Sequence, residues 1–283
     1  MLIANEQPRS ANSLIGASMR IMTGLIDAIK RDKSYIIGAI ITGAALMVLF
    51  LQHDWQSKPS VVGSLDISSD LPDFASIADV KQKKQQFFDY LRPLVEKENG
   101  KIQYKKAHLE RLIKELESES YHSSITRKKL RKIARDFGLK SGQIESDIDE
   151  LRRRVDIIPS SLVLAQAANE SAWGTSRFAR QANNLFGQWC FTKGCGLVPQ
   201  KRNSGGQHEV QKYKSIQASI ASYMRNLNSH QTYSDLRNVR AGLRRRGQII
   251  TGVKLAHGLS GYSERGQDYV NEVISMIQQN QLE

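Results

Sequence analysis

Seventeen consecutive residues near the start, Tyr35 to Leu51 (YIIGAIITGAALMVLFL), carry no charge. A helix crosses the hydrocarbon core of a bilayer in about 17–25 residues, so this run is just long enough to span one. Residues 1–34 hold five Lys or Arg, including Lys30, Arg31 and Lys33, whereas residues 52–76 hold only Lys58. Lys and Arg are retained on the cytoplasmic side of a membrane. The expectation is therefore a cytoplasmic segment 1–34, a transmembrane helix 35–51, and everything after Leu51 outside. Tyr35 and Trp55 fall where interfacial aromatics anchor such a span. Two other readings compete. A buried core helix would normally keep a polar stripe, and a cleaved signal peptide would have a shorter lead-in and a small-x-small site before Gln52.

The chain has 283 residues, 40% of them apolar, which is enough for a folded core. Its formal charge of +13 implies attraction to some polyanion: nucleic acid, lipid headgroups, or a polymer bearing carboxylates. A nucleic-acid reader would add a recognition helix, a zinc module or a basic surface interleaved with aromatics, and none of these is present. The only cysteines, Cys190 and Cys195 in WCFTKGC, face an oxidising compartment if the topology is right. A disulfide is then favoured over two free thiols. No metal site is expected, since two Cys without a matching His or Cys pair fall short of a zinc shell.

Residues 52–76, rich in Ser, Asp, Pro and Gly, read as a linker. Residues 77–156 read as a helical region. Phe87, Phe88, Leu91, Leu94 and Val95 form one apolar stripe, and Leu109, Leu112, Ile113 and Leu116 a second. A third helix should follow Ser124 and end near Phe137, and a fourth should run from Gln143 to Val155. Asn99-Gly100 and Gly138 are the expected breaks. The many Lys and Arg here read as solvated helix faces, with packing against a wall or the next domain as the alternative. Arg244, Arg245 and Arg246 read as a solvated turn or an anion contact.

From Pro159 a new helix begins, with Pro in its first turn and a Ser as its cap. Leu162, Leu164, Ala165 and Ala168 give it a small-residue buried face. It should stop around Glu170-Ser171-Ala172-Trp173-Gly174, with Gly174 in a left-handed closing conformation. Glu170 then lies in the last turn, where the helix dipole disfavours negative charge and Trp173 excludes water. Both effects raise its pKa. A carboxylic acid still protonated near neutral pH is what a glycosidic leaving oxygen requires. A solvent-exposed helix-end glutamate is the plainer reading of that residue alone.

The segment LAQAANESAWGTSRFARQANNLFG resembles the signature of the glucosaminidase domain of glycoside hydrolase family 73. That signature is a helix ending in Glu-Ser-x-Trp-Gly, a short Ser-x-x-Ala segment, then Asn-Asn-Leu-Phe-Gly. Within the family, the Cys-containing insert and the Asn-Leu-Asn-Ser-His segment are similar to the membrane-anchored Bax-type proteins of Gram-negative bacteria. The resemblance implies a mainly α fold, an α+β lysozyme-like glucosaminidase domain over 157–283 with a small β-hairpin lobe from Gln188 to Tyr213. The implied activity is that of an endo-β-N-acetylglucosaminidase, which hydrolyses peptidoglycan glycan strands at β-1,4 bonds after N-acetylglucosamine. Glu170 would be its acid, with no cofactor. A lytic transglycosylase and a catalytically weak peptidoglycan-binding module are the alternatives.

Asn183, Asn184 and Phe186 match the loop that walls the family's cleft, and Trp173 and Tyr213 join them as substrate-binding candidates. The Asn side chains suit sugar hydroxyls or a local turn equally well. An inverting hydrolase needs a base about 6.5–9.5 Å from the acid, while a retaining one needs a nearer carboxylate or the substrate's acetamido group. Glu209, the only acidic residue of the lobe, is the candidate base or water-positioner, with a hairpin ion pair as the plainer role. Tyr262 matches the family's Gly-Tyr segment and is the third catalytic candidate, with Tyr269 its neighbour and Glu264 a reserve acid. His208 reads as an ordinary histidine. The resulting expectation is an inner-membrane protein with a single span and its C-terminal domain in the periplasm.

Overall fold

The computed structural model describes residues 71–118, 123–140, 143–200 and 206–283. The expected cytoplasmic segment 1–34, transmembrane helix 35–51 and most of linker 52–76 lie outside the described residues. Among the described residues no helix is long and apolar enough to cross a membrane. Residues Ser68–Glu283 form one compact unit. As the sequence predicts, it is mainly helical with one small sheet.

In chain order the helices are α1 (Val80–Glu117), α2 (Ser123–Asp136), α3 (Ile144–Arg154), α4 (Ser160–Ser171) and α5 (Arg177–Ala182). Strands β1 (Trp189–Cys190), β2 (Gly196–Leu197) and β3 (Glu209–Gln211) follow. Helices α6 (Ile216–Ser229), α7 (Ser234–Arg245), α8 (Gly252–Ala256) and α9 (Gln267–Gln279) complete the unit.

Helix α1 begins at Asp79, whose carboxylate accepts the Gln82 amide at 2.6 Å. It then runs through the expected break at Asn99-Gly100 without interruption. Its 38 residues span about 57 Å at 1.5 Å per residue. Asn99 is a clamp rather than a turn former. Its Nδ2 donates to the Ile158 carbonyl at 2.8 Å, and its Oδ1 accepts the Ile158 amide at 3.1 Å. This buried reciprocal pair ties α1 to the entrance of α4, and it outweighs the few tenths of a kcal/mol that asparagine costs in a helix.

The carboxyl-terminal half of α1 forms its own apolar cluster with α2 and α3. Leu109, Leu112, Ile113 and Leu116 meet Leu130, Ala134, Phe137, Ile144, Leu151 and Val155. The predicted third and fourth helices are therefore present, with Gln143 and Val155 as the caps of α3. The amino-terminal half of α1 lies against α4, which also packs on α8 and α9. Helix α4 is buried nearly all round, as Leu162, Val163, Leu164, Ala165, Ala167 and Ala168 are each within 1% of complete burial. The predicted Ser cap is not used there. Pro159 is the N-cap, and no side chain caps the helix.

The lobe after α5 is not a simple hairpin. Its strands lie in the order β1-β3-β2, so the last strand is central and antiparallel to both neighbours.

Charged residues supply the other half of the frame. Arg154, Arg237 and Arg240 are buried, which for Arg154 is contrary to the solvated helix face expected of it. Each donates to the carbonyls that a helix end leaves unpaired. Arg154 reaches the Phe137 and Ser229 carbonyls at 2.9 and 2.7 Å. Arg237 reaches those of Leu227 and His230 at 3.1 and 2.8 Å. Arg240 reaches those of Arg153, Asp156 and Ile157, and burial pushes its pKa down to about 10. Beside it, Asp156 takes a bidentate contact from Arg244 at 3.0 and 3.1 Å and one from Lys106 at 2.7 Å. Arg244, Arg245 and Arg246 are all exposed, as a solvated turn would have them, but Arg244 is also an anchor through Asp156.

Burial alone would raise the Asp156 pKa, but the Arg244 hydrogen bonds, with Arg240 and Lys106, outweigh it and hold it below the ordinary range. Its stabilising contribution is therefore present above the unfolded value, about 3.9, and is lost as pH falls through the lower folded value. Asp156→Asn should destabilise the protein by about 3 kcal/mol at pH 7, at the low end for a broken buried ion pair because Lys106 and Arg244 can re-solvate. Urea unfolding at pH 7 and pH 3 checks this. The gap between variant and wild type should narrow at the lower pH.

Candidate active site

Helix α4 ends in a way that explains the Glu-Ser-x-Trp-Gly sequence. The Ser171 hydroxyl donates back to the Ala167 carbonyl at 2.6 Å and accepts the Gly174 amide at 2.8 Å. Between these contacts the chain passes through successive left-handed residues, Ala172 (φ 49°), Trp173 (φ 61°) and Gly174 (φ 75°). Such a conformation costs about 1–2 kcal/mol at a residue with a Cβ. At Gly174 it admits only glycine, because a Cβ there would lie 2.7 Å from the Phe74 ring. The reversal leaves Glu170 in the last helical turn, half-buried.

Tyrosine rings contributed by four segments surround that carboxylate. Tyr269 of α9 donates its hydroxyl to Glu170 Oε1 at 2.7 Å. Tyr262 stacks on Tyr269 with ring centroids 5.1 Å apart and planes 9° apart, and Tyr233 lies 5.9 Å beyond Tyr262. Tyr223 of α6 stacks on Phe186 at 3.8 Å. Behind them Gln166, fully buried one turn before Glu170, donates through Nε2 to the Tyr269 oxygen at 2.9 Å and accepts from the Tyr223 hydroxyl.

Burial raises the Glu170 pKa. The Tyr269 hydrogen bond opposes it, Glu272 adds to it, and Arg265 opposes it. The predicted direction thus holds, with burial among tyrosines as the main cause. Trp173, expected to shield the acid, sits edge-on to Phe87 and Phe88 at 5.8 and 5.3 Å, with the Lys84 ammonium 4.8 Å over its ring.

The remaining sequence candidates fall into the lobe and its supports. Cys190 and Cys195 form a disulfide. Gly196 lets β2 approach closely, since a Cβ there would lie 1.9 Å from the Val210 carbonyl oxygen. Glu209 is buried, and its two oxygens accept the Gly194 and Gly196 amides at 3.0 and 2.8 Å. It therefore braces the disulfide loop. The sulfurs that lie near it are joined to each other, which removes them as metal ligands.

Asn184 donates to the Gln188 and Gln211 carbonyls and accepts the Phe186 and Gln188 amides, which fills its hydrogen-bonding capacity. Asn183 is the left-handed cap of α5 and donates to the Tyr213 carbonyl at 3.2 Å. Tyr213 is buried under the lobe, with its hydroxyl 2.9 Å from Ser222 Oγ. Glu264 is exposed. His208 stacks on Trp189, centroids 4.1 Å apart.

The sequence alone gives no site role to Gln166, Tyr223 or Tyr233. Only Gln166 leaves a signal, as the one polar residue in the run 162–168, one turn before the acid. Trp189 and Phe191, which flank Cys190, are 58% and 75% exposed and offer flat apolar surfaces at the edge of the lobe. Volume is no guide to this site. A cavity of about 700 Å³ lies between α1 and α6, lined by Tyr104, Phe137 and Met224 among others, and none of the groups around Glu170 lines it.

A family model described as glucosaminidase, mannosyl-glycoprotein endo-beta-N-acetylglucosaminidase, matches residues 145–282. Protein bax of Escherichia coli (strain K12) is 36% identical over 216 residues, which are 76% of this chain and 76% of that protein. The chain belongs to the glucosaminidase family. No solved structure matches it. Membership makes this a glycosidase-type protein with a glycan substrate, and the family match begins within α3, well before the acid-bearing helix.

An ionised Glu170 is disfavoured by its surroundings, so its raised pKa is also a statement about stability. The penalty is absent below the unfolded pKa, about 4.3, and is complete once pH rises above the folded value. Glu170→Gln keeps an acceptor for Tyr269 and removes the charge. It should melt at a higher temperature than wild type at pH 8, with the difference vanishing near pH 4. Calorimetry at the two pH values checks this.

Proposed function

We propose that this chain is an endo-β-N-acetylglucosaminidase that cleaves peptidoglycan strands after N-acetylglucosamine, with Glu170 as general acid. The observation that carries the reading is the half-buried carboxyl at the end of α4, its pKa raised by burial and one oxygen held by Tyr269. An acid in that state can protonate the glycosidic oxygen near neutral pH. Tyr262, stacked on Tyr269, is suited to contact the acetamido group of the sugar whose bond breaks. Trp189 and Phe191 supply stacking surfaces for neighbouring sugars. Residues 35–51 would tether the enzyme in the inner membrane as a single span, with residues 52–283 in the periplasm. The family's glycan chemistry and the +13 charge favour a carboxylate-bearing wall over nucleic acid as the polyanion.

For the second group, the substrate's acetamido oxygen is the preferred nucleophile, because both Glu209 oxygens already hold the disulfide loop. Glu209 as a base that positions water is the second reading, supported by its place in the lobe. The two differ in stereochemistry, since acetamido attack retains the anomeric configuration and a base-activated water inverts it.

Digestion of sacculi by the full-length protein, followed by mass spectrometry, should release fragments with reducing N-acetylglucosamine ends. Anhydro ends would instead identify a lytic transglycosylase, and binding without release a non-catalytic module. Glu170→Gln should lower turnover by about 10²–10⁴-fold. Wild-type kcat/KM should fall as pH rises through the Glu170 pKa, because the protonated form is the active one. Equal digestion by variant and wild type would remove Glu170 from the mechanism. The first-formed anomer, read by proton NMR, separates the two assignments of the second group.

A further inference from the structure

A carboxylic acid has two oxygens, and a general acid works only if its proton is on the one that faces the leaving group. The chain of groups behind Glu170 decides which oxygen that is. Gln166 sits between two phenols, Tyr223 and Tyr269, and its amide has an acceptor at one end and donors at the other. It accepts from Tyr223, so it must present its NH₂ to Tyr269. Burial holds the Tyr269 and Tyr223 phenols far above their ordinary pKa, so both stay neutral at any working pH. With its oxygen accepting from Gln166, the single proton of Tyr269 is free to point at Glu170 Oε1, 2.7 Å away.

We propose that Gln166 is a positioning residue that fixes the polarity of this chain, so that Tyr269 always donates to Glu170 Oε1 and the transferable proton resides on Oε2. The inference rests on the reading of Glu170 as the acid. In the transfer step the Oε2–H bond breaks, the proton joins the glycosidic oxygen, and the electron pair of the breaking carbon–oxygen bond stays with that oxygen. The charge that develops on the carboxylate is met at Oε1 by a donor already in place, which needs no rearrangement as the proton leaves. Without Gln166, the Tyr269 hydroxyl is able to turn away and accept from Oε1–H, which puts the proton on the oxygen that faces the protein.

The charged and titratable groups that act on Glu170 come from several elements: Tyr269 and Glu272 from α9, Arg265 and Tyr262 from the segment before it, Tyr223 from α6, and Tyr233 from the turn after α6. Gln166 carries no charge, so its removal reaches Glu170 through Tyr269 and not by a direct field.

The test is a double-mutant cycle in the full-length protein, using Gln166→Met, Tyr269→Phe and the pair. The readout is the Glu170 titration by NMR of glutamate labelled with ¹³C at the carboxyl, its resonance assigned by its loss in Glu170→Gln. Tyr269→Phe removes a bond to the ionised form and should raise the Glu170 pKa. Gln166→Met should raise it too, and the double variant should match Tyr269→Phe alone, since Gln166 acts only through that phenol. With sacculi as substrate, Gln166→Met should lower kcat by roughly ten- to a hundredfold with KM little changed, the cost of a misplaced proton. A Gln166→Met titration identical to wild type, or shifts that add in the double variant, would overturn the proposal. If Gln166→Met does not fold, Tyr223→Phe, which releases the far end of the amide, takes its place. It should shift the titration the same way, and a wild-type value would again overturn the idea. The titration does not depend on turnover, so a failure of Glu170→Gln to lose activity would sink the acid reading and leave this result distinct.

Discussion

The complete enclosure of α4 is the constraint on which the other elements depend. A helix that is apolar all round cannot lie on a surface, so Leu162, Val163, Leu164 and the alanines between them need neighbours on every side. The amino-terminal half of α1 covers one side, and α8 and α9 cover others. Alanines at 165, 167 and 168 allow these helices to come close. Because α4 is surrounded over residues 161–168, side chains next reach solvent in its last turn, at Asn169 and Glu170. Glu170 occupies that place, with desolvating protein on one side and an opening on the other. The raised pKa follows from the architecture before any neighbour is specified.

Enclosure of that kind leaves helix ends indoors, and their carbonyls require donors. Arg154, Arg237 and Arg240 meet this requirement, each reaching carbonyls at a helix terminus or the turn beyond it. A guanidinium suits the task because its planar fork serves several acceptors at once, and it is more weakly hydrated than an ammonium. Asp156 then supplies the countercharge, held by Arg244 and Lys106 from two different helices. Part of the +13 charge is therefore internal scaffolding and is not available to attract a polyanion.

Periodic signals are legible in the sequence. The apolar stripes of α1 and the limits of α3 follow from spacing. The acid was legible because a local motif, Glu-Ser-x-Trp-Gly, encodes a local structure in which Ser171 locks a left-handed exit. Residues whose roles depend on distant partners were not legible. Asn99 reads as a turn former and is a clamp because Ile158, 59 residues away, presents a matching amide and carbonyl. Arg154 reads as part of a solvated helix face and is buried because the carbonyls of Phe137 and Ser229, 17 and 75 residues away, converge on it. No period or propensity carries such information.

The same distinction separates the two halves of the candidate site. On the α4 side, functional groups face one another: Glu170 meets Tyr269, and Tyr269 meets Gln166 and Tyr262. On the lobe side, the polar residues that match the family pattern are turned inward, with Asn184 saturated by four backbone contacts and Glu209 holding two amides. These residues give the lobe its shape and so fix where the exposed Trp189 and Phe191 stand. The proposed function divides chemistry and recognition accordingly. On the proposed reading the helical side sets the protonation state of the acid by burial and hydrogen-bond polarity, while the lobe contributes a disulfide-closed surface that exposes Trp189 and Phe191. Apolar faces suit sugar rings, whose C–H bonds cluster on one side, and they make no demand on the ionisation state of the cleft. On that reading, the proton on Glu170 is left under the control of the tyrosine and glutamine chain behind it, with the glycan held by contacts that do not compete for it.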